Sequence, residues 1–413
     1  MFDLLLITYD FPYGSGETFL ETEIEYTSRY FNKIYVISTS RNKRITRDPP
    51  SNVFALKIGR YYHFFNCLLY AFFKVFSHEA RVEYRDLKLL RNMPSKDKIL
   101  RAWLTSWMIE KRLSIAIKEL NLDSRNTIAY SYWLSASAYY LSKVDSFRFR
   151  LSRAHRFEVR DYEDYIPFRS YMDAHLDEVV FISEYTQHEY NEILKPLLRH
   201  GTRARQIVSR LGVREQDIYS NKHATDLHDL FLVSCSNITH LKRLDLIIKA
   251  IALLGNDKKV KWVHIGWGEA SDEIIRLCQE LLGSKSNISY NILGSRSNQE
   301  VLEFYKENPI DLFINTSDNE GIPVSIMEAM SFGIPCIARA VGGNPEIVIN
   351  GVSGYLLTKD ATPRVLADVI ERYIDDKSFR IDPAGVLAFF KKNYSAQRNY
   401  DDFYSHVMRQ ALR

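Results

Sequence analysis

The sequence predicts an α/β protein made of two doubly wound parallel-sheet domains. Three observations carry that expectation. At 413 residues the chain exceeds a single ordinary core, because domains usually run to roughly 100–200 residues. Apolar residues make up 46% and charged residues 26%, the balance of a folded globular chain, which excludes a largely disordered protein. Short apolar runs alternate with amphipathic helical patterns along both halves, as in parallel sheets covered on both faces and wound with right-handed crossovers.

In the first half, residues 4–8, 33–39, 127–133, 147–154 and 178–183 read as strands. The opening MFDLLLITYD has acids at both ends of its apolar run and no basic start, so it reads as a buried strand rather than a signal peptide. A long basic helical region is expected from about residue 60 to 120. Within it, Phe65, Leu68, Leu69, Phe72, Phe73 and Phe76 repeat at helical spacing and make a wide apolar face. The run from 61 to 76 is interrupted by His63, Asn66 and Lys74 and is shorter than the roughly 20 apolar residues that a membrane span requires. In the second half, strands are expected at 230–235, 261–265, 288–293, 311–315 and 335–338, with helices at 244–254, 271–282 and 299–307. The polar, aperiodic stretch 215–228 marks the join. The expected division is 1–217 for the first domain, 218–385 for the second, and a Tyr- and Phe-rich helix over 386–413 packing back on the first.

Charge is unevenly placed. Residues 41–112 hold 16 of the 55 Lys and Arg and 6 of the 51 Asp and Glu, a surplus of +10, which leaves −6 for the rest and +4 overall. A basic segment rich in aromatics suits anionic lipid head groups, a polyanionic substrate or nucleic acid; the plainer alternative is a solvated basic face over a buried helix. Cys67, Cys235, Cys278 and Cys336 stand singly. With no C-x-x-C pair, a disulfide framework and a zinc site are not expected, and a reducing compartment is.

Ligands of open α/β sheets collect at the carboxyl ends of the strands, where helix N-termini offer free N–H groups. Five segments fall at such places. Asp10-Phe-Pro-Tyr-Gly14-Ser-Gly16-Glu17 follows the first strand; it is either a close approach to a ligand or a tight turn. His155, in Arg153-Ala-His-Arg156, ends a strand and is either a donor to a phosphate or a structural residue. Lys242 and Arg243 stand at the start of a helix, against its dipole, as if facing an anion or simply water. Gly266 and Gly268 follow another strand, but without the third glycine of a dinucleotide site.

The fifth segment is the most specific: Asn319-Glu320-Gly321-Ile322-Pro323-Val324, continuing to Glu328 and to Gly333-Ile-Pro335. Glu320 falls in the loop before a helix and Glu328 about a turn and a half into it, with Pro323 suited to the first turn. One carboxylate can meet sugar hydroxyls and the other a pair of ribose hydroxyls, while N–H groups between them hold a phosphate.

From Glu320 to Pro335 the chain carries E-G-x-P-x-x-x-x-E-A-M-x-x-G-x-P without a gap. It thereby resembles the retaining glycosyltransferases of family GT4. That family has the GT-B architecture, two Rossmann-like domains facing a cleft. Val341-Gly-Gly-Asn344-Pro-Glu346 and Asn350-Gly-Val-Ser-Gly-Tyr355 extend the match, which is detailed over 228–360. The opening FPYGSGETFLETEI and the segment SRAHRFEV are similar to bacterial members that assemble capsular and exopolysaccharide repeat units.

The resemblance implies transfer of a hexose, with retention, from a UDP-, GDP- or ADP-sugar to a glycan or polyprenyl-diphosphate-linked acceptor, without a metal or other cofactor and without nucleic acid. It implies a cytoplasmic enzyme. On the membrane reading of the basic segment, Arg81, Arg85, Lys88 and Arg91, beside the aromatic stripe at 65–76, are expected to rest on the anionic inner leaflet, which would suit a lipid-linked acceptor. Its catalytic set would be His155, Lys242 and Glu320. Glu328 would bind the ribose, Gly321, Ile322, Pro323 and Val324 the sugar and diphosphate, and Leu293 and Arg296 the base. Gly14, Gly16, Arg243, Gly266 and Gly268 complete the expected donor set. One departure stands out: where many members have Gly-Arg ahead of the lysine, this chain has Ser236-Asn237, so Arg243 substitutes or the leaving diphosphate is less well neutralised. The same architecture also hosts sugar-nucleotide epimerases and hydrolases, and a non-catalytic sugar-nucleotide-binding subunit is a further alternative.

Overall fold

The computed structural model describes residues 1–14, 16–40, 42, 44–58, 64–90, 93–159, 165–197, 204–216 and 229–413. Ser15, the stretch 61–63, Arg91 and most of the expected join lie outside them. The chain divides into two compact units: Met1–Leu211 with Asn399–Arg413, and Gly212–Arg398.

Unit 1 is built on seven parallel strands in the order β3-β2-β1-β4-β5-β6-β7. These are β1 (Asp3–Thr8), β2 (Ile34–Ser38), β3 (Val53–Lys57), β4 (Thr127–Ser131), β5 (Phe149–Ala154), β6 (Glu178–Phe181) and β7 (Arg205–Val208). Helices α1 (Phe19–Thr27), α2 (Phe64–Lys74), α3 (His78–Leu87), α4 (Lys96–Leu120), α5 (Ala136–Leu141), α6 (Arg169–His175) and α7 (Glu184–Leu194) connect them. The opening run LLLIT is the central strand. Leu4 to Ile7 are buried, as expected of a strand covered on both faces.

Among the described residues, the long helical region expected from about 60 to 120 holds three helices. Ser77 starts α3 as its N-cap, its side chain accepting the Ala80 N–H at 3.2 Å, and Ser95 occupies the same place before α4. Helix α2 faces the unit with its polar side. Tyr70 donates to Glu110 at 2.9 Å, and Lys74 lies 3.5 Å from Glu79. Lys143 bridges the two acids at 2.8 Å from Glu110 and 3.1 Å from Glu79. Phe65, Leu69, Phe72, Phe73 and Phe76 point outward. Burying such a side chain is worth about 1.5–3 kcal/mol, and the chain forgoes that gain five times over.

A second polar network lies in the core. Glu23 of α1 accepts from Tyr132 at 2.7 Å, from Tyr404 at 2.8 Å and from Arg153 at 3.4 Å, while Arg153 also donates to Tyr130 at 2.7 Å. Arg153 therefore neutralises a buried carboxylate, as a buried ion must be neutralised.

Unit 2 holds six parallel strands in the order β10-β9-β8-β11-β12-β13: β8 (Leu230–Cys235), β9 (Val260–Ile265), β10 (Ile288–Ile292), β11 (Leu312–Asn315), β12 (Cys336–Arg339) and β13 (Gly354–Leu357). Its helices are α8 (Leu244–Ala252), α9 (Ser271–Leu282), α10 (Asn298–Glu307), α11 (Val324–Met330), α12 (Asn344–Ile347), α13 (Pro363–Asp375) and α14 (Pro383–Asn393).

The aromatic C-terminal stretch is two helices, α14 and α15 (Ala396–Ala411). They are separated at Tyr394–Ser395, where Val213 donates to the Tyr394 carbonyl and accepts from the Ala396 N–H. Helix α14 lies in unit 2, while Asn399 onward groups with unit 1. There Tyr400, Phe403, Tyr404 and Val407 are buried and His406 lies 2.8 Å from Glu178.

Candidate active site

Because the strands of unit 2 are all parallel, the loops following them emerge at one edge of the sheet. Winding runs from β8 outward to β10, then restarts on the other side at β11. The gap between β8 and β11 is therefore the switch point where such sheets bind ligands. The loops flanking it are tied together. The Asp318 N–H donates to Leu241 O at 2.8 Å. The Thr316 hydroxyl donates to the carbonyls of Lys242 at 3.1 Å and Arg243 at 2.9 Å. Across this junction the Lys242 ammonium meets Glu320 Oε1 at 2.6 Å, and the Asn315 amide reaches the same oxygen at 3.3 Å. The pair is mostly shielded, with side-chain exposures of 24% and 10%.

Pro323, expected in the first turn of the next helix, stands one place earlier as its N-cap, and α11 begins at Val324. The N–H groups of Val324 and Ser325 at the start of α11, and of Gly321 and Ile322 in the turn before it, donate to no described residue; the first two are the orphan donors that a helix start leaves. Glu328, inside α11, is buried and accepts from the Asn298 amide at 2.5 Å. Burial with that single partner pushes its carboxyl up to about 7.

The turn carrying Glu320 is braced from behind by Gly342 and Gly343. A β-carbon on Gly342 would sit 1.7 Å from Glu320 O, and φ there is +53°. Gly342→Ala is therefore expected to cost about 2 kcal/mol from the left-handed backbone alone, with more from the displaced turn. A melting temperature unchanged within a degree would show that the bracing is not required.

Arg243 does not face open space. It is the left-handed residue before α8, and its guanidinium meets Asp245 at 2.9 Å and Asp318 at 3.4 Å. Its charge is thus answered by the chain's own acids, and Lys242 is the cation placed beside Glu320. Gly266 and Gly268 lie against the backbone of Ser236 and Ile238, and the Gly266 N–H donates to Gly294 O at 2.9 Å. These two glycines pack loop on loop. Leu293 and the exposed Arg296 follow β10 on the same edge, with Arg296 3.6 Å from Glu300. Four positioning residues escaped the sequence reading: Asn298, Asn315, Thr316 and Arg339. Arg339 reaches Thr316 O at 3.1 Å and Asp318 at 2.5 Å. Asn315 and Arg339 each end a strand, which was the available signal.

In unit 1 the switch point lies between β1 and β4. The loop after β1 closes on two acids. The Glu17 carboxylate accepts the N–H groups of Tyr9, Asp10 and Phe11 and the Trp133 indole. Gly16 donates to Asp10 at 3.0 Å and Gly14 to Arg44 O at 3.3 Å. The glycine amides expected to face donor phosphates are thus used by the chain's own oxygens.

His155, just past β5, is buried against Trp133 with ring centroids 4.3 Å apart. Neither ring nitrogen has a hydrogen-bond partner among the described residues. Burial, with Arg153 nearby, lowers its pKa well below the usual histidine value, leaving a neutral ring able to donate or accept. Beside it, at the same edge, opens a cavity of about 760 Å³ lined by Thr8, Tyr9, Trp133, Phe157 and Tyr165, with Lys98 and Arg101 also lining it.

The lipopolysaccharide outer core galactosyltransferase WaaB superposes on this chain with a TM-score of 0.67 over 99% of each chain at 16% identity. Anabaena HepE, in complex with UDP and glucose, superposes with a TM-score of 0.64 over 99% of this chain and 100% of its own, at 15% identity. The fold is GT-B. Residues 215–384, nearly all of the second GT-B domain, match the family model described as Glycosyl transferases group 1. Among curated relatives, N-acetyl-alpha-D-glucosaminyl L-malate synthase of Bacillus anthracis is 25% identical over 49% of this chain and 52% of its own length. The amylovoran biosynthesis glycosyltransferase AmsK of Erwinia amylovora is 27% identical over 44% and 47%. The chain thus spans about half the length of these curated relatives.

Proposed function

We propose that this chain is a retaining glycosyltransferase, moving a hexose from a nucleoside-diphosphate sugar to a glycan or lipid-linked acceptor in the assembly of a cell-surface polysaccharide. The observation that carries the reading is the Lys242–Glu320 pair at the switch point of unit 2, beside the unpaired amides of Gly321, Ile322 and Val324. The family match over 215–384 and a further HepE structure, in complex with UDP-glucose, support a sugar-nucleotide donor. The names of AmsK and WaaB support a polysaccharide product.

The chemistry follows from the charges. Glycosyl transfer passes through an oxocarbenium-like state, so the sugar gains positive charge as the diphosphate gains negative charge. An ammonium has three donors. One serves Glu320 and the others remain for the leaving diphosphate, which the free amides also receive. Glu320, held by Lys242 and Asn315, positions sugar hydroxyls. Glu328 takes the ribose hydroxyls, and Leu293 and Arg296 flank the base. His155 meets the transferring sugar as a neutral hydrogen-bonding group, and the cavity of unit 1 seats the acceptor. No step calls for a metal.

The test is incubation with UDP-, GDP- and ADP-sugars, with and without a lipid-glycan extract, followed by mass spectrometry. Nucleoside diphosphate released only when acceptor is present, together with a product one hexose heavier, is the expected result. Prompt turnover of the donor alone would place the chain among hydrolases or epimerases. Tight donor binding with no transfer would make it a binding subunit.

A further inference from the structure

We infer that the outward face of α2, with the cations of α3, docks on the surface of a bilayer containing anionic lipid. This interaction does not depend on the sugar-transfer reading. The helix is inside out. Its polar residues Tyr70 and Lys74 are committed inward to Glu110 and Glu79, while Phe65, Leu69, Phe72, Phe73 and Phe76 are 57–82% exposed. The first four recur at helical spacing and lie on one face of α2, and Phe76 follows in the turn after it. Their rings also cluster, with Phe72 edge-on to both Phe73 and Phe76 at 6.0 Å between centroids. Rotating the helix half a turn would bury the rings and give Lys74 to water. The Glu79–Lys143–Glu110 network holds it the other way, so the apolar face is presented rather than left over.

Charge identifies the occupant. Among the described residues from Phe65 to Leu89, every exposed side chain is apolar, neutral or basic and none is acidic. Arg81 and Arg85 are exposed on α3 and Lys88 at its C-cap, with Lys88 over the Tyr84 ring at 4.8 Å. A second copy seated on this patch by a two-fold axis would bring the same cations together. A layer of phosphate head groups over acyl chains answers both components: the rings enter the interface and the cations meet the phosphates. No helix among the described residues is long and apolar enough to cross a membrane, so the contact lies in the plane of the surface.

The test uses the full chain and sedimenting vesicles, either of pure phosphatidylcholine or with a quarter of phosphatidylglycerol. Binding to the anionic vesicles at low salt, lost in half-molar salt and weak on the neutral ones, is expected. The triple variants Phe72→Ser/Phe73→Ser/Phe76→Ser and Arg81→Ala/Arg85→Ala/Lys88→Ala should each weaken binding by at least about tenfold. Both alter exposed side chains, and an unchanged circular dichroism melt confirms that they fold. Failure of the parent chain to bind, equal binding to both vesicle types, or full binding by the Phe variant overturns the inference. A concentration-dependent dimer that the Phe variant dissolves, without vesicle binding, replaces the lipid by a second copy.

Discussion

Replacing Lys242 with alanine is expected to lower kcat by about 10²–10³ while changing KM much less. A preorganised donor aimed at developing charge is worth about 2.7–4 kcal/mol, and the diphosphate gains its charge as the bond breaks, so the lysine acts more on the transition state than on the bound donor. Beside the Lys242–Glu320 pair, among the described residues, no other cation stands ready to replace the lysine. Arg243, the adjacent cation, is held by Asp245 and Asp318, and Asn237 carries no charge.

The variant also removes the partner of Glu320, whose oxygen sits 2.6 Å from the ammonium. A carboxylate left in a shielded site with only the Asn315 amide beside it is costly, and a turn disturbed by that cost would add to the loss. A double-mutant cycle with Glu320→Gln separates the two effects. If the lysine acts only by holding Glu320, the double variant will be no slower than Glu320→Gln alone. If it neutralises the leaving group, the double variant will be slower by most of the single loss. Turnover of Lys242→Ala equal to that of the parent would remove the lysine from the mechanism.

The elements legible in the sequence were those with strong, continuous patterns. The inner strands were found because burial on both faces demands unbroken apolar runs such as LLLIT and DLFIN. Three strands were missed: β3, β7 and β13. All three are edge strands. An edge strand covers less of the core and tolerates polar residues, as Arg205-Gln-Ile-Val208 shows, so its pattern is weak. The apolar face of α2 was visible as a period, but its direction was not. That depends on Glu79, Glu110 and Lys143, which lie far along the chain or on other helices.

The site divides in the same way. Glu320, Gly321, Pro323 and Glu328 stand close together in sequence, and the turn and short helix that present them are local. Asn298 and Arg339 act across strands, so only the tertiary structure brings them to Glu328 and Asp318. The internal partners of the glycine loop after β1 were hidden for a related reason. Glycines mark where backbone can approach something closely, and the something here is Asp10, within the same loop.

Glu328→Ala should weaken binding of the intact sugar nucleotide by about 100-fold or more. Each hydrogen bond to a charged group contributes about 1.5–3 kcal/mol, and the carboxylate would accept two from the ribose. Its pH dependence is the sharper test. Burial holds the free carboxyl at about 7, so near neutrality roughly half the molecules carry a proton there and cannot accept both hydroxyls. Binding selects the ionised form. Affinity should therefore rise with pH, by nearly tenfold per unit below 7, and level off above about 8.

Glu328→Gln, close to the same shape but without a titrating group, should bind weakly and flatten this limb. An intact nucleotide sugar is the right ligand, because its diphosphate has no terminal ionisation in that range to imitate the effect. The unliganded fold should show the opposite slope. A carboxyl whose pKa is higher folded than unfolded loses stability as pH rises from 4.5 through 7. Glu83 and Glu158, also near 7 through burial, act in the same sense, so only the difference between parent and Gln variant reports Glu328. Calorimetric titrations that give the parent a flat affinity from pH 6 to pH 8 would detach Glu328 from the ribose.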